Sequence, residues 1–186
     1  MSGSCGSKAQ GAGKIRRYCG QKRWICKRVT AMADDLNQWV LEAASQPRVR
    51  EEVRRLYADL QVRIDQRRPL CVMSGRCCRF DEHGHRLYAT TMELAAFVAE
   101  LADLPALPQT TAGAGLCAFQ SGKICRVHPI RPLGCRVFFC DPSSTEWQEG
   151  VYEEFHGRLK DLHKDMSIPY AYVEWRFACQ AMGFQL

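Results

Sequence analysis

The chain has 186 residues, eleven of them cysteine, with 46% hydrophobic and 25% charged residues. A chain of that length can bury a core without covalent staples, so its cysteines are not the framework of a miniature disulfide scaffold. No apolar run is long enough to span a bilayer, and the basic N-terminus lacks the apolar stretch of a secretory signal. The formal charge of +6 is local: residues 1–33 hold eight of the 26 Lys and Arg and none of the 20 Asp and Glu. The body is therefore slightly acidic. Residues 1–31 are expected to be a disordered leader, and they carry no nucleic-acid-binding motif despite their charge. Residues 32–186 are expected to form one domain, with Met32 a conceivable alternative start.

From Met32 the pattern is helical, with Asp34 and Asp35 suiting a helix N-terminus and Leu36, Trp39, Val40 and Ala43 on one face. Pro47 reads as the first turn of a second helix, whose stripe of Val49, Val53, Leu56, Tyr57, Leu60 and Ile64 runs towards Arg67–Pro69. Cys71 to Arg79 is irregular, with Gly75 permitting a tight turn. Residues 86–89 read as a short strand. Thr90 with Glu93 forms a capping box before a helix through Leu94, Phe97, Val98 and Leu101. Residues 105–115 form a Pro- and Gly-rich loop. Between Cys117 and Asp141 the Pro and Gly punctuation predicts loops and short extended segments. A helix over about 146–166 follows, and a shorter one over about 172–182 closes the chain. The expected fold is mainly α, with helices flanking an irregular cysteine-rich centre that has short strands at most.

That centre holds seven cysteines: Cys71, Cys77, Cys78, Cys117, Cys125, Cys135 and Cys140. Thiolates gathered in one place bind a soft metal or oxidise in pairs. The lack of a secretory signal points to the cytoplasm, where clustered thiols hold metal more often than they pair as disulfides. No Cys-x-x-Cys is present, which disfavours both a zinc ribbon and a thioredoxin-like pair. The adjacent Cys77 and Cys78 suit a multinuclear centre, or one ligates while the other packs in the core. Four thiolates around a divalent ion leave a net charge near −2, which needs nearby cations. Arg76, Arg79, Arg126 and Arg136 sit beside cysteines in sequence and are the expected compensation. His83 and His85 fall in a polar turn where the solvated reading is preferred; His128 is either a ligand, a second donor behind one, or loop packing. Cys5, Cys19, Cys26 and Cys179 read as incidental.

The run Cys71-Val-Met-Ser-Gly-Arg-Cys-Cys78, then Cys117, Cys125, and Arg131-Pro-Leu-Gly-Cys135-Arg136 followed by Cys140, resembles the YkgJ-type cysteine-cluster family over residues 70–141. That family is described as a zinc- or iron-chelating domain. Its usual pattern has a further cysteine where Ser74 stands, with Gly75 kept after it. The resemblance implies that the seven cysteines are the metal-ligand pool and that iron, as an iron–sulfur cluster, is favoured over zinc. Some members resemble flagellin lysine N-methylases, which makes a metal-dependent enzyme acting on a protein or peptide the alternative. A pocket beside the metal lined by His128 or Asp141 would favour that alternative. No nucleotide-binding fingerprint accompanies it. Thiol redox chemistry without metal is the third and least favoured reading.

Overall fold

The computed structural model describes residues 31–104 and 115–184. By contacts the chain divides into Met1–Asp35 and Leu36–Leu186, and the second unit carries the architecture described below. The expected tail 1–31 lies almost wholly outside the described residues, and so does most of the expected loop 105–115.

The fold is mainly helical with only short antiparallel strands, as the sequence patterning implied. Helix α1 occupies residues 31–44, and α2 runs Pro47–Arg67 with proline in its first turn and Arg68 in the left-handed region at its end. The buried face of α2 is Val49, Val53, Leu56 and Leu60, the predicted stripe. A short α3 (Phe80–His83) precedes strand β1 (Tyr88–Thr90) and helix α4 (Thr91–Leu101). Strands β2 (Gln120–Ser121) and β3 (Ile124–Cys125) form a small hairpin, and α5 (Leu133–Val137) follows. The long α6 (Thr145–Asp165), strand β4 (Tyr172–Glu174) and α7 (Trp175–Ala181) complete the order.

Helix α4 is the axis of the core. Every residue from Thr91 to Phe97 is buried, as expected of a helix enclosed on all sides rather than laid on a surface. One of its faces, with Met92, Ala95 and Ala96, joins the stripe of α2 and Val151, Phe155 and Leu159 of α6. The opposite face, with Leu94 and Phe97, joins Phe119, Trp175, Cys78 and Cys117. Helices α2, α4 and α6 thus build one half of the core, and the cysteine segment is packed into the other.

Three elements differ from the sequence reading. Residues 172–174, expected as helix, pair with β1 in the register Tyr88↔Glu174, Ala89↔Val173 and Thr90↔Tyr172. Aromatic and β-branched side chains favour that pairing, and the Glu174 side chain then caps α7 by accepting from the Phe177 amide at 3.0 Å. Strand β1 itself lies at 88–90, shifted towards Thr90. Residues 133–137 form a turn and a half of helix where loops and extended chain were expected; Pro132 ahead of it supplies a preset backbone for a helix start.

His163 closes the end of α6 against α4. Its Nδ1–H donates to the Ile168 carbonyl at 3.1 Å, and its Nε2 accepts the Met92 amide at 3.3 Å. The Nε2 bond requires the neutral ring, and burial lowers its pKa below the usual 6.5. Burial lowers His156 in the same direction. A depressed histidine contributes stability that is complete above pH about 6.5 and falls as the pH drops from there towards the folded-state value. Thermal unfolding should therefore occur at lower temperature at about pH 5.5 than at about pH 7.5. The loss should shrink in His163→Gln, whose amide can make both bonds without titrating; an equal loss in that variant would refute the assignment.

Candidate functional site

Local backbone pairing brings distant cysteines together. Residues 78–81 and 115–117 run antiparallel: the Cys117 amide donates to the Cys78 carbonyl at 2.8 Å, and Arg79 and Leu116 form a bridge. The chain turns after Cys117, and the β2–β3 hairpin, with Cys125 opposite Gln120, carries Cys125 back past that residue. The Arg126 amide donates to the Phe119 carbonyl at 2.9 Å and fixes the return. A single turn at His128–Ile130 and then α5 place Cys135.

Gly75 locks the first thiol pair against this hairpin. Its φ of +73° lies in the left-handed region, and its carbonyl accepts from the Cys78 amide at 3.1 Å and from Gln120 Nε2 at 3.2 Å. A Cβ there would stand 2.8 Å from Gln120 Nε2 and 3.1 Å from the Lys123 backbone. The tight turn expected at this glycine is present, and the close approach to residues 120–123 gives a second reason for it.

Five of the seven candidate thiols interact. Cys78 is buried and its Sγ lies 3.9 Å from that of Cys77. The thiols of Cys117 and Cys125 are close enough to raise its pKa. The adjacent Cys77 and Cys78 sulfurs thus lie on the same side of the chain. Thiolates at two corners of a tetrahedron with a Zn–S distance near 2.3 Å would stand about 3.8 Å apart, close to the observed spacing. Cys135 feels the charges of Cys117, Cys125 and Cys77. All five are free of disulfides.

Charge is distributed unevenly over this group. Hydrogen bonding from Cys78 lowers the Cys77 pKa to about 6 and lowers those of Cys117 and Cys125 as well. Cys78 is pushed up by those same bonds, chiefly with Cys117, and so is the member that keeps its proton. Cys135 is raised by loss of solvent first and by its charged neighbours second. Trp175 Nε1 donates to Cys117 Sγ at 3.4 Å, so α7 takes part in the site. Thiolates with lowered pKa are the form that ligates metal.

Two arginines act on these thiols: Arg136, one of the four expected from adjacency, on Cys135, and Arg131, which was not among them. Arg131 lowers Cys77 and Cys125 electrostatically, and its Nε is buried without a hydrogen-bond partner. Arg79 pairs with Glu82 at 3.3 Å, while Arg76 and Arg126 are exposed. Arg136 lies 4.1 Å over the Tyr57 ring and donates to the Pro129 carbonyl at 2.7 Å.

The remaining candidates stand as follows. Cys140 has Ser74 against it, Oγ to Sγ 3.5 Å, and Cys71 is exposed. Ser74 thus faces a thiol of the motif, at the position where the resembled pattern carries another cysteine. Asp141 accepts from Ser143 Oγ at 2.7 Å and Ser144 Oγ at 2.9 Å, which lowers its pKa to about 2 and commits it to capping a turn. His128 is exposed.

His85 departs from the solvated reading. Its ring stacks on Phe138 at 4.9 Å and meets the edge of Phe80 at 5.3 Å. Its Nε2–H donates to the Cys77 carbonyl at 3.2 Å, leaving a buried Nδ1 lone pair without a partner among the described residues. The polarity of residues 81–85 concealed this, because the apolar ring partners come from segments more than fifty residues apart.

A cavity of about 310 Å³ opens beside the site, walled by Cys77, Cys135, His85, Phe138, Tyr88 and Tyr172 among others. Among the described residues no three His, Cys, Asp or Glu side chains already stand at the spacing of a finished metal site. Thiols are the donor type a soft metal takes, and three of these five, Cys77, Cys117 and Cys125, have lowered pKa values. No family model matches the chain, and neither the curated proteins nor the solved structures contain a match. The resemblance therefore rests on the motif residues alone.

Gly75→Ala should strain the left-handed turn by about 1–2 kcal/mol and force Gln120 aside. The expected result is a lower unfolding midpoint together with faster alkylation of Cys78, followed by mass spectrometry. An unchanged Cys78 rate would show that the Gly75 turn does not hold the thiols.

Proposed function

We propose that the chain is a metal-binding protein whose clustered thiolates hold iron, as an iron–sulfur cluster, with zinc as the alternative ion. The observation that carries this reading is the gathering of Cys77, Cys78, Cys117, Cys125 and Cys135, from four separate stretches of chain, into one group of thiols that shift one another's titration, with the Cys77 and Cys78 sulfurs 3.9 Å apart. A metal bound by these thiols would displace the protons they still carry. These five residues would hold the ion, with Cys71 and Cys140 the outlying members of the ligand pool. The bound metal would supply either a redox couple or structural closure of the segment. Arg131 offsets the sulfur charge, and Trp175 hydrogen-bonds the Cys117 thiolate. The free state of all eight described cysteines suits a reducing compartment, the cytoplasm. No described helix is long and apolar enough to cross a membrane.

A second reading is supported by the cavity. A closed structural site has no use for a void at its thiols, whereas a catalytic one keeps a position open. Cys77 and Cys135 line that void, so a metal-dependent enzyme acting on a protein or peptide remains the alternative function. The pocket residues that would serve it are His85 and the tyrosines, in place of His128 and Asp141.

Anaerobically purified protein should contain iron and show thiolate-to-iron absorption in the visible. A colourless protein with stoichiometric zinc would reject the cluster and keep the thiolate site; one without metal, unable to bind added iron or zinc, would reject both. Cys78→Ser should weaken metal retention by more than about tenfold, while Cys71→Ser should change it little. Equal effects would remove Cys78 from the centre of the site.

A further inference from the structure

Glu93 is a buried carboxylate, 3% exposed, within the apolar axis helix. The sequence explains it as half of a capping box, and the box is present: Glu93 Oε2 accepts the Thr90 amide at 2.8 Å, and the Thr90 hydroxyl accepts the Glu93 amide at 3.4 Å. A capping glutamate needs only one of its oxygens and is ordinarily solvated. Here the second oxygen is also engaged. Oε1 accepts the Leu133 amide at 2.8 Å and the Tyr57 hydroxyl at 3.0 Å.

These bonds tie three elements to one side chain. Leu133 is the first residue of α5, and its amide is one that a helix leaves without an internal partner. Cys135 follows two residues later. On the other side, the Tyr57 ring lies under Arg136, whose guanidinium also holds the Pro129 carbonyl. The stretch from Pro129 to Arg136 is thus gripped at both ends, and it contains Arg131 and Cys135. Burying a carboxylate, even one that accepts three hydrogen bonds, carries a desolvation cost that a solvent-facing cap avoids.

We propose that Glu93 is a positioning residue of the thiol site: it anchors α5 through the Leu133 amide and so sets Cys135 against Cys77, Cys117 and Cys125. The inference rests on reading those thiols as one site and is independent of which metal they hold.

The test is site-resolved alkylation of the reduced, metal-free full chain, read by mass spectrometry. Glu93→Ala should raise the rate at Cys135 about tenfold, the equilibrium equivalent of losing one charge-assisted hydrogen bond. Thr90→Ala removes the same cap of α4 without touching Leu133, and should leave the Cys135 rate within about twofold of the parent. Glu93→Gln, whose amide oxygen can still accept from Leu133 and Tyr57, should restore protection. If Thr90→Ala exposes Cys135 as strongly as Glu93→Ala does, Glu93 is only a cap and the proposal fails. It fails equally if neither variant changes the rate. Should Glu93→Ala not fold, hydrogen exchange on the unaltered protein decides the matter. The Leu133 amide is expected to be protected, and exchange at the rate of a free helix N-terminus would overturn the assignment. Metal titration of the same variants separates the two questions. A chain that binds no metal yet shows this alkylation pattern refutes the metal and keeps Glu93.

Discussion

Sulfur atoms that carry charge cannot be packed against one another unless something positive lies between them. In this chain that constraint is met by Cys78, whose neighbours push its pKa up so that it keeps its proton, and by Arg131, whose charge acts on Cys77 and Cys125. Much of the surrounding structure serves the same end. The Gly75 turn presses the pair against the hairpin, Trp175 donates to Cys117, and the aromatic rings of Phe97, Phe119 and Trp175 meet edge to face behind it. A site of this kind is sensitive to small displacements, because each sulfur titrates according to where the others lie.

The helical half of the molecule provides the rigidity. Helix α4 is buried on every side, so a side chain that leaves it has a fixed origin. Glu93 uses that origin to grip α5, and the β1–β4 pairing uses the start of the same helix to bring Trp175 to the thiols. The Trp175 amide donates to the Leu87 carbonyl at 2.8 Å, which sets α7 in place just where the site requires an indole. One helix thereby organises both halves of the core and two walls of the site.

The helices were legible because their signals are local. Pro47 and the stripe of α2, and the Thr90–Glu93 box, depend on residues within a few turns of one another. The thiol pool was legible as a pool, since cysteine types and spacing announce soft-ligand chemistry without fixing geometry. What could not be read was long-range. Five thiols converge through pairing of residues 78–81 with 115–117, which no periodicity encodes. Arg131 joins Arg136 in acting on the thiols although no cysteine adjoins it, because closeness along the chain is not closeness in space. His85 looked solvated in a polar segment; Phe80 lies just before it, but the ring that stacks on it, Phe138, comes from over fifty residues later. Residues 172–174 read as helix because their strand partner lies over eighty residues earlier.

The account stands or falls on whether these sulfurs surround a metal. X-ray absorption at the metal edge of anaerobically purified protein measures this directly. The account predicts a first shell of about four sulfurs, at about 2.3 Å for zinc or iron, with a second shell of metal neighbours if the ion is iron in a cluster. A shell made of oxygen and nitrogen alone would contradict it, as would a protein whose thiols stay free when iron or zinc is supplied.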